Sequence, residues 1–284
     1  MGEKTGRTGK LARSDKRFLF WSVAVLALLI FSLLAPHLAS HDPYEINLSL
    51  VTAPPGSEYW MGNDYVGRCI FCRLLHGAAR SIFAAVLVVM LSFVIGTLIG
   101  TVCGYAGGRI DIIVMRLVDA VQAFPNLIFS ISVAAMLGSG LKNCIIAMVI
   151  TGWTQYARLA RTKVLDIKKK TYVRAARVSG MSGLEILLYT ILPNSLSPLI
   201  VAASMHVGNA ILSFSGLSFL GLGSPPPYPE WGTMLNDGRS TFQTAPWTIL
   251  FPGAAIVLTV MIMGMFGDSL NAKLNPRKDE SNEI

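Results

Sequence analysis

Between Glu185 and Glu230 the chain carries no Asp, Glu, Lys or Arg, and residues 18–36 and 81–108 are equally free of charge. Nothing else constrains the fold so strongly. A hydrocarbon core about 30 Å thick takes about 20 apolar residues in a helix. Every backbone polar group at that depth must be satisfied within the chain, which leaves only helices or closed barrels. A barrel would show short alternating segments, whereas these runs are long and continuous. The chain therefore reads as all-α and polytopic. Further spans are expected at 117–137, with Asp119 near one end and Pro125 inside, at 141–156, within 186–229, and at 245–267. Six transmembrane helices result.

Only 14% of the 284 residues are charged, against about a quarter in soluble domains. That deficit excludes an ordinary soluble enzyme and any disordered or fibrous class. The net charge of +8 would suit nucleic acid only if it lay on a soluble basic face. Six spans instead put both termini in one compartment. That side holds Lys4, Arg7, Lys10, Arg13, Lys16 and Arg17, then Arg109 and Arg116, the cluster from Arg158 to Arg177, and Lys273, Arg277 and Lys278. The other side holds only Arg68, Arg73, Arg80, Lys142 and Arg239. The positive-inside rule makes the first side cytosolic, so the charge records orientation and no nucleic-acid partner is expected. The first apolar run exceeds a signal-peptide core and no small-residue cleavage site follows it closely, so it is expected to remain as a helix. The expected organisation is a cytosolic basic tail (1–17), a first helix (18–38), an extracytoplasmic segment (39–80), a five-helix core (81–268) and a cytosolic tail (269–284).

The cytosolic stretch 158–193 is the most informative. Residues 173–178 suit a helix, Gly180 and Gly183 interrupt it because Gly costs about 1 kcal/mol in a helix interior, and 184–192 resume helix until Pro193 stops it. Two short helices with a glycine elbow are expected. Ala175 and Ala176 leave a bare patch suited to a groove on a cytosolic protein; a basic loop lying against anionic lipid is the alternative.

This stretch resembles the EAA loop of binding-protein-dependent ABC importers. The family pattern of Glu-Ala-Ala, Gly after three residues and a closing Ile/Leu-x-x-Pro-like turn is met by Arg174-Ala175-Ala176, Gly180 and Ile191-Leu192-Pro193, with Arg174 replacing the acidic residue. Gly62-Asn63-Asp64-Tyr65-Val66-Gly67-Arg68, Gly107-Gly108-Arg109-Ile110-Asp111, Leu217-Ser218-Phe219-Leu220-Gly221-Leu222-Gly223, Pro229-Glu230-Trp231-Gly232, Gly267-Asp268 and Leu274-Asn275-Pro276 resemble other blocks of the C-type permease subunits of dipeptide, oligopeptide and nickel importers. The resemblance implies a type I ABC importer permease in the bacterial cytoplasmic (inner) membrane. It implies a second permease lining one path with this chain, two ATPase subunits and an extracytoplasmic solute-binding protein. It carries Arg174, Ala175, Ala176 and Gly180 over as the ATPase-docking segment, with Ile191, Leu192 and Pro193 joining it to the fifth span. A membrane scaffold or receptor, whose basic loop binds lipid or a signalling partner, is the competing reading.

The chain offers no catalytic group. Its only Gly-Lys, Gly9-Lys10, lacks the spacing and hydroxyl of a phosphate-binding loop, so ATP and Mg would sit on the partner ATPases and this chain binds no cofactor. His206, Asn209 and Ser213 recur at helical spacing on the fifth span; polar groups at membrane depth are candidates for lining a path, although they also glue helices together. Asp119 is expected in an interhelical salt bridge. Cys69 and Cys72 form a C-x-x-C where the family usually has Asp and Ser; without a second ligand pair it reads as two small buried cysteines and no metal site is expected. His37 and His41 form no evident ligand set, and Cys103 and Cys144 read as core. Arg177-Val178-Ser179-Gly180 and Ser213-Phe214-Ser215-Gly216, without the acidic residue that peptide permeases tend to carry near position 214, favour nickel over peptide cargo.

Overall fold

The computed structural model describes residues 3–274, with side chains from Asp15 onward; the side chains of Lys4, Arg7, Lys10 and Arg13, and residues 275–284 with Asn275, Pro276, Arg277 and Lys278, lie outside the described residues. Among those described the chain is helical, with one isolated bridge between Asn63 and Cys69. In order come α1 (Glu3–Leu34), α2 (Ile70–Ala106), α3 (Gly108–Gln122), α4 (Asn126–Leu137), α5 (Leu141–Lys168), α6 (Thr171–Val178), a short α7 (Gly183–Glu185), a π-helical turn (Ile186–Ile191), α8 (Leu192–Phe219), α9 (Trp231–Gly238) and α10 (Trp247–Leu274).

Four helices are long and apolar enough to cross a membrane: α1, α2, the unbroken rod Gly183–Phe219 and α10. Five result if α3 and α4 count as one. The expected six are therefore not reached by length and composition. The third span is broken: α3 and α4 meet at 90°, because Pro125 disfavours helical backbone in the residue before it and stands itself in an extended conformation as the cap of α4. The fourth, α5, is long enough at 28 residues, but Lys142, Asn143, Gln155 and Arg158 dilute its apolar character.

Two boundaries also differ from expectation. The second span begins at Ile70, not at 81, since Arg73 is paired with carboxylates in place and Arg80 is held over an aromatic ring. Buried Arg73 lies 3.6 Å from both Asp64 and Asp237, and Arg68 lies 2.7 Å from Asp64 and 3.2 Å from Asp237. Arg80 sits over the Tyr228 ring at 4.3 Å. Burial pushes the Asp237 carboxyl up, against the pull of Arg73 and Arg68. Pro193 does not stop its helix. The π turn immediately before it uses wider i→i+5 bonding, which makes room for a proline ring that clashes with a regular preceding turn.

The core is organised about α2 and α5. Gly96, Gly100 and Gly104 form one stripe on α2, four residues apart, and face Trp153, Ala157 and Arg161 on α5. A Cβ at Gly96 or Gly100 would collide with the carbonyl oxygens of Trp153 or Ala157. Such small-residue stripes let two backbones meet where helices have little hydrophobic reason to associate. The rest of the main core, including Ile82, Val88, Met148, Ile211, Phe214 and Met263, closes round this contact.

The two glycine-rich motifs after residue 216 make one structural unit at one end of the bundle. Fully buried Glu230 accepts hydrogen bonds from the Ser218 hydroxyl at 3.0 Å, the Ser224 amide at 3.2 Å and the Ser224 hydroxyl. Trp231 donates its amide to Ser81 Oγ at 3.1 Å and its ring nitrogen to the Leu74 carbonyl at 3.0 Å. A Cβ at Gly223 or Gly232 would strike Ser218. These motif residues hold α9 between α2 and α8.

Replacing Gly100 with Leu should force α2 and α5 apart. Overpacking of this kind costs about 1–3 kcal/mol or more, so the purified variant should melt at a visibly lower temperature than wild type, whereas Gly264→Leu, where a Cβ meets nothing, should change the melt little.

Candidate functional site

Two regions collect the residues singled out from sequence. The first is α6 with its elbow. Val173 is buried in a small separate core with Val164, Ile167, Ile186 and Ile191, which fastens α6 to both α5 and the foot of α8. Arg174 and Ala175 are exposed and Ala176 half-buried, while Gly180 takes φ +86° with nothing within 4 Å of its missing Cβ. That left-handed backbone favours glycine. It turns the chain so that Ser182 can cap α7, accepting from the Glu185 amide as Glu185 returns a bond to the Ser182 amide. Around the elbow Val178, Leu184 and Tyr189 are exposed, Val178 to 89%. The elbow is tied down at its base: Lys168 Nζ donates to the Tyr105 carbonyl at 2.6 Å, and Arg161 grips Asp111 with bonds of 2.5 and 2.6 Å. Ile191 is buried; Leu192 and Pro193 continue directly into α8.

The second region is a cavity of about 310 Å³ between α2, α4, α5 and α8. His206, Asn209 and Ser213 all line it. So do residues that periodicity on α8 did not reveal: Asn126 and Ser130 from α4, Thr151, Gln155 and Tyr156 from α5, and Ser92 from α2. His206 Nδ1 lies 3.0 Å from the Tyr156 hydroxyl, and Ser130 and Thr151 share a 2.8 Å hydroxyl bond. Thr151 and Gln155 are one helical turn apart, so the same spacing argument applied to α5 could have found them. Asn126 and Ser130 come in only because α4 folds back at Pro125. The lining offers hydroxyls, amides and an imidazole but no carboxylate or ammonium group. It suits a polar, hydrogen-bonding solute more than a bare cation.

The remaining candidates fall outside both regions. Asp119 pairs across helices with Arg158 at 2.6 Å, as a salt bridge; both side chains are about half exposed, where such pairs contribute little. Phe214 is buried in the main core, so its identity reports packing. Cys103 and Cys144 are buried. Contrary to expectation, His41 does meet a ligand set: it stands beside Cys69 and Cys72, the three donor atoms lying within 4.8 Å of one another. The loop from residue 39 folds back over the start of α2, which spacing along the sequence does not disclose.

Residues 96–280 match the model of the family described as binding-protein-dependent transport system inner membrane component. The chain belongs to that family. Full-length relatives agree: it is 38% identical over 268 residues to the dipeptide transport system permease protein DppC of Alkalihalophilus pseudofirmus, covering 94% of this chain and 88% of the relative. It is 41% identical over 256 residues to the probable D,D-dipeptide transport system permease protein DdpC of Escherichia coli, covering 90% and 86%. It is 40% identical over 269 residues to the glutathione transport system permease protein GsiD of Pectobacterium atrosepticum, covering 92% and 89%. A chain of the MetNI methionine ABC transporter in an inward-facing conformation superposes with a TM-score of 0.58 at 16% identity, over 71% of this chain and 96% of that one; it shares the fold.

This binding-protein-dependent permease is thus a multi-pass membrane transport protein of the peptide-permease group. The expectation of nickel finds no support in these relatives. It rested on residues 177–180 and 213–216, and the structure gives those residues other work: Val178 and Gly180 form the exposed elbow, and Phe214 packs the core.

If the cavity holds water, its lining should react where the outer apolar side of α8 does not. In a cysteine-free background, Asn209→Cys and Ser213→Cys should be modified by a water-soluble, charged thiol reagent at least an order of magnitude faster than Leu212→Cys, which lies on the outward face at 59% exposure. Mass spectrometry of the labelled protein measures this.

Proposed function

We propose that this chain is a permease subunit of an ATP-driven importer of di- or other short peptides, acting with a second permease, two ATPase subunits and an extracytoplasmic solute-binding protein. The observation that carries the reading is 38–41% identity along nearly the whole chain to permeases of dipeptide, D,D-dipeptide and glutathione transport systems. The cavity chemistry supports it. Peptides present amides, a carboxylate and an ammonium group, and the uncharged donors and acceptors around His206, Asn209 and Ser213 can hydrogen-bond such a solute without trapping it. The competing scaffold or receptor reading is not favoured by relatives that are transport permeases.

Six spans remain our reading. Of the polar groups of α5 that dilute its hydropathy, Gln155 lines the cavity, Arg158 pairs with Asp119, and Lys142 and Asn143 stand in the first turn, at the end of the span. Asp15 on α1 pairs with Lys273 on α10 at 3.4 Å, which supports both termini on one side; the Lys and Arg bias makes that side cytosolic. The tails, the core boundaries and residues 158–193 as a cytosolic loop follow from that topology.

ATPase docking falls to α6 and its elbow, with Arg174, Ala175, Ala176 and Gly180 at the contact and Ile191, Leu192 and Pro193 passing movement into α8. Exposed Val178, Leu184 and Tyr189 add apolar surface for a groove to bury. Arg174, where the family has an acidic residue, calls for an acidic partner surface there. ATP and Mg sit on the ATPases, and closing them would rock the bundle about the cavity.

Uptake of a radiolabelled dipeptide by cells lacking the gene, complemented with wild type or variants, tests this. Wild type should restore uptake. Val178→Asp and Gly180→Val should each lower it at least tenfold and reduce the ATPase subunits recovered on affinity purification. Restoration of nickel but not dipeptide uptake would overturn the cargo; full uptake with unchanged ATPase recovery in both variants would overturn the docking surface.

A further inference from the structure

The first turn of α2 is capped by sulfur. Cys69 is the N-cap residue and its Sγ accepts from the Cys72 amide at 3.3 Å, a position where Ser, Thr, Asp and Asn are strongly preferred because oxygen accepts far better. The two sulfurs are 2.7 Å apart and buried, at 4% and 0% exposure. His41 closes the group from a different part of the chain, with Nδ1 4.0 Å from Cys72 Sγ. Its half-buried ring stacks on Tyr59 at 4.6 Å and 21° between planes, and the bridge between Asn63 and Cys69 holds the cap in place. Capping explains none of this: a thiol pair makes a poor cap, and an imidazole contributes nothing to one.

We propose that His41, Cys69 and Cys72 form a binding site for a thiophilic d10 metal ion, with Zn²⁺ as the reference occupant. Zinc takes thiolate at about 2.3 Å and imidazole at about 2.0–2.1 Å in a tetrahedron, so neighbouring donors must stand about 3.3–3.8 Å apart. The His41 to Cys72 distance of 4.0 Å is already close to this, and the two sulfurs, 2.7 Å apart, have to separate by about 1 Å as the ion enters. Binding displaces the thiol protons to solvent, and two thiolates then balance the 2+ charge, so the buried cluster is neutral. Three protein donors leave the fourth position to water on the open side of His41. A disulfide is the poorer use of these residues. It needs no histidine, and forming it by exchange requires one of these thiolates to attack an incoming disulfide and the second to displace the resulting mixed disulfide, which burial of both sulfurs blocks; a metal ion needs only to pass His41. The site lies at the opposite end of α2 from the α6 elbow and does not depend on the transport reading.

The test uses the full-length protein, purified in detergent without oxygen under reducing conditions, stripped with a chelator and titrated with Co²⁺ and then Zn²⁺. One equivalent of Co²⁺ should give a thiolate-to-metal charge-transfer absorption that Zn²⁺ abolishes. Cys69→Ser and Cys72→Ser should each eliminate the band, His41→Ala should weaken binding at least tenfold, and Cys103→Ser should keep it. Zn²⁺ should raise the melting temperature of wild type and leave that of the folded Cys69→Ser/Cys72→Ser double variant unchanged, serine being the better cap. Absence of the band in wild type, its survival in either Cys variant, unchanged affinity in His41→Ala, or a Cys69–Cys72 disulfide in a protein whose reduced form binds no metal would each overturn the proposal.

Discussion

The close approach of α2 to α5 is the contact on which the rest of the bundle depends. Three glycines on one helix remove the side chains that would keep the backbones apart, and the backbone of Trp153, Ala157 and Arg161 meets them on the other. In water such a contact would be modest beside a large apolar core. In hydrocarbon, where burying a leucine gains little, backbone proximity and dispersion carry association. The contact also seats α5, whose polar groups would be expensive against lipid, and turns Thr151, Gln155 and Tyr156 toward the cavity. The same glycine stripe therefore holds the bundle together and positions the α5 wall of the cavity.

At about 1.5 Å per residue, the 37-residue α2 is longer than a bilayer core, and its two ends do different work. The first turns are held by charge: Arg68 and Arg73 are shared between Asp64 and Asp237, which locks the segment after α1 to α9. Removing either arginine would leave two largely buried carboxylates to share one guanidinium, an uncompensated charge of the kind that makes a broken buried pair costly. The far end is held by Lys168 on the Tyr105 carbonyl and by the small core around Val173. Segments outside the membrane are thus built as firmly as the spans.

Much of the architecture was legible because lipid imposes a simple rule on long charge-free runs: α1, α2, the rod ending at Phe219 and α10 all follow from it. What was not legible traces to three identifiable causes. Charge suggested a boundary at residue 81, yet Arg73 is shared between Asp64 and distant Asp237, and Arg80 lies over the ring of distant Tyr228. Proline was read as a stop at Pro193 and as an interior residue at Pro125; a π turn rescues the helix in the first case, and the chain folds back through 90° in the second. Of the site, helical spacing on α8 picked out His206, Asn209 and Ser213, which do share one cavity. Their counterparts on α4 and α5, and the meeting of His41 with Cys69 and Cys72, depend on tertiary placement that no local spacing encodes.

The π turn at Ile186–Ile191 has a geometric consequence for α8. Bonding to the fifth residue instead of the fourth inserts one residue into the helical count, and one residue in an α-helix is about 100° of rotation. The wall formed by His206, Asn209 and Ser213 therefore stands about 100° from where an unbroken α-helix begun at Gly183 would put it. Those three side chains face the cavity because six residues next to the α6 elbow are wound differently from the rest. Changing the winding of that one turn would swing the imidazole, the amide and the hydroxyl out of the cavity together.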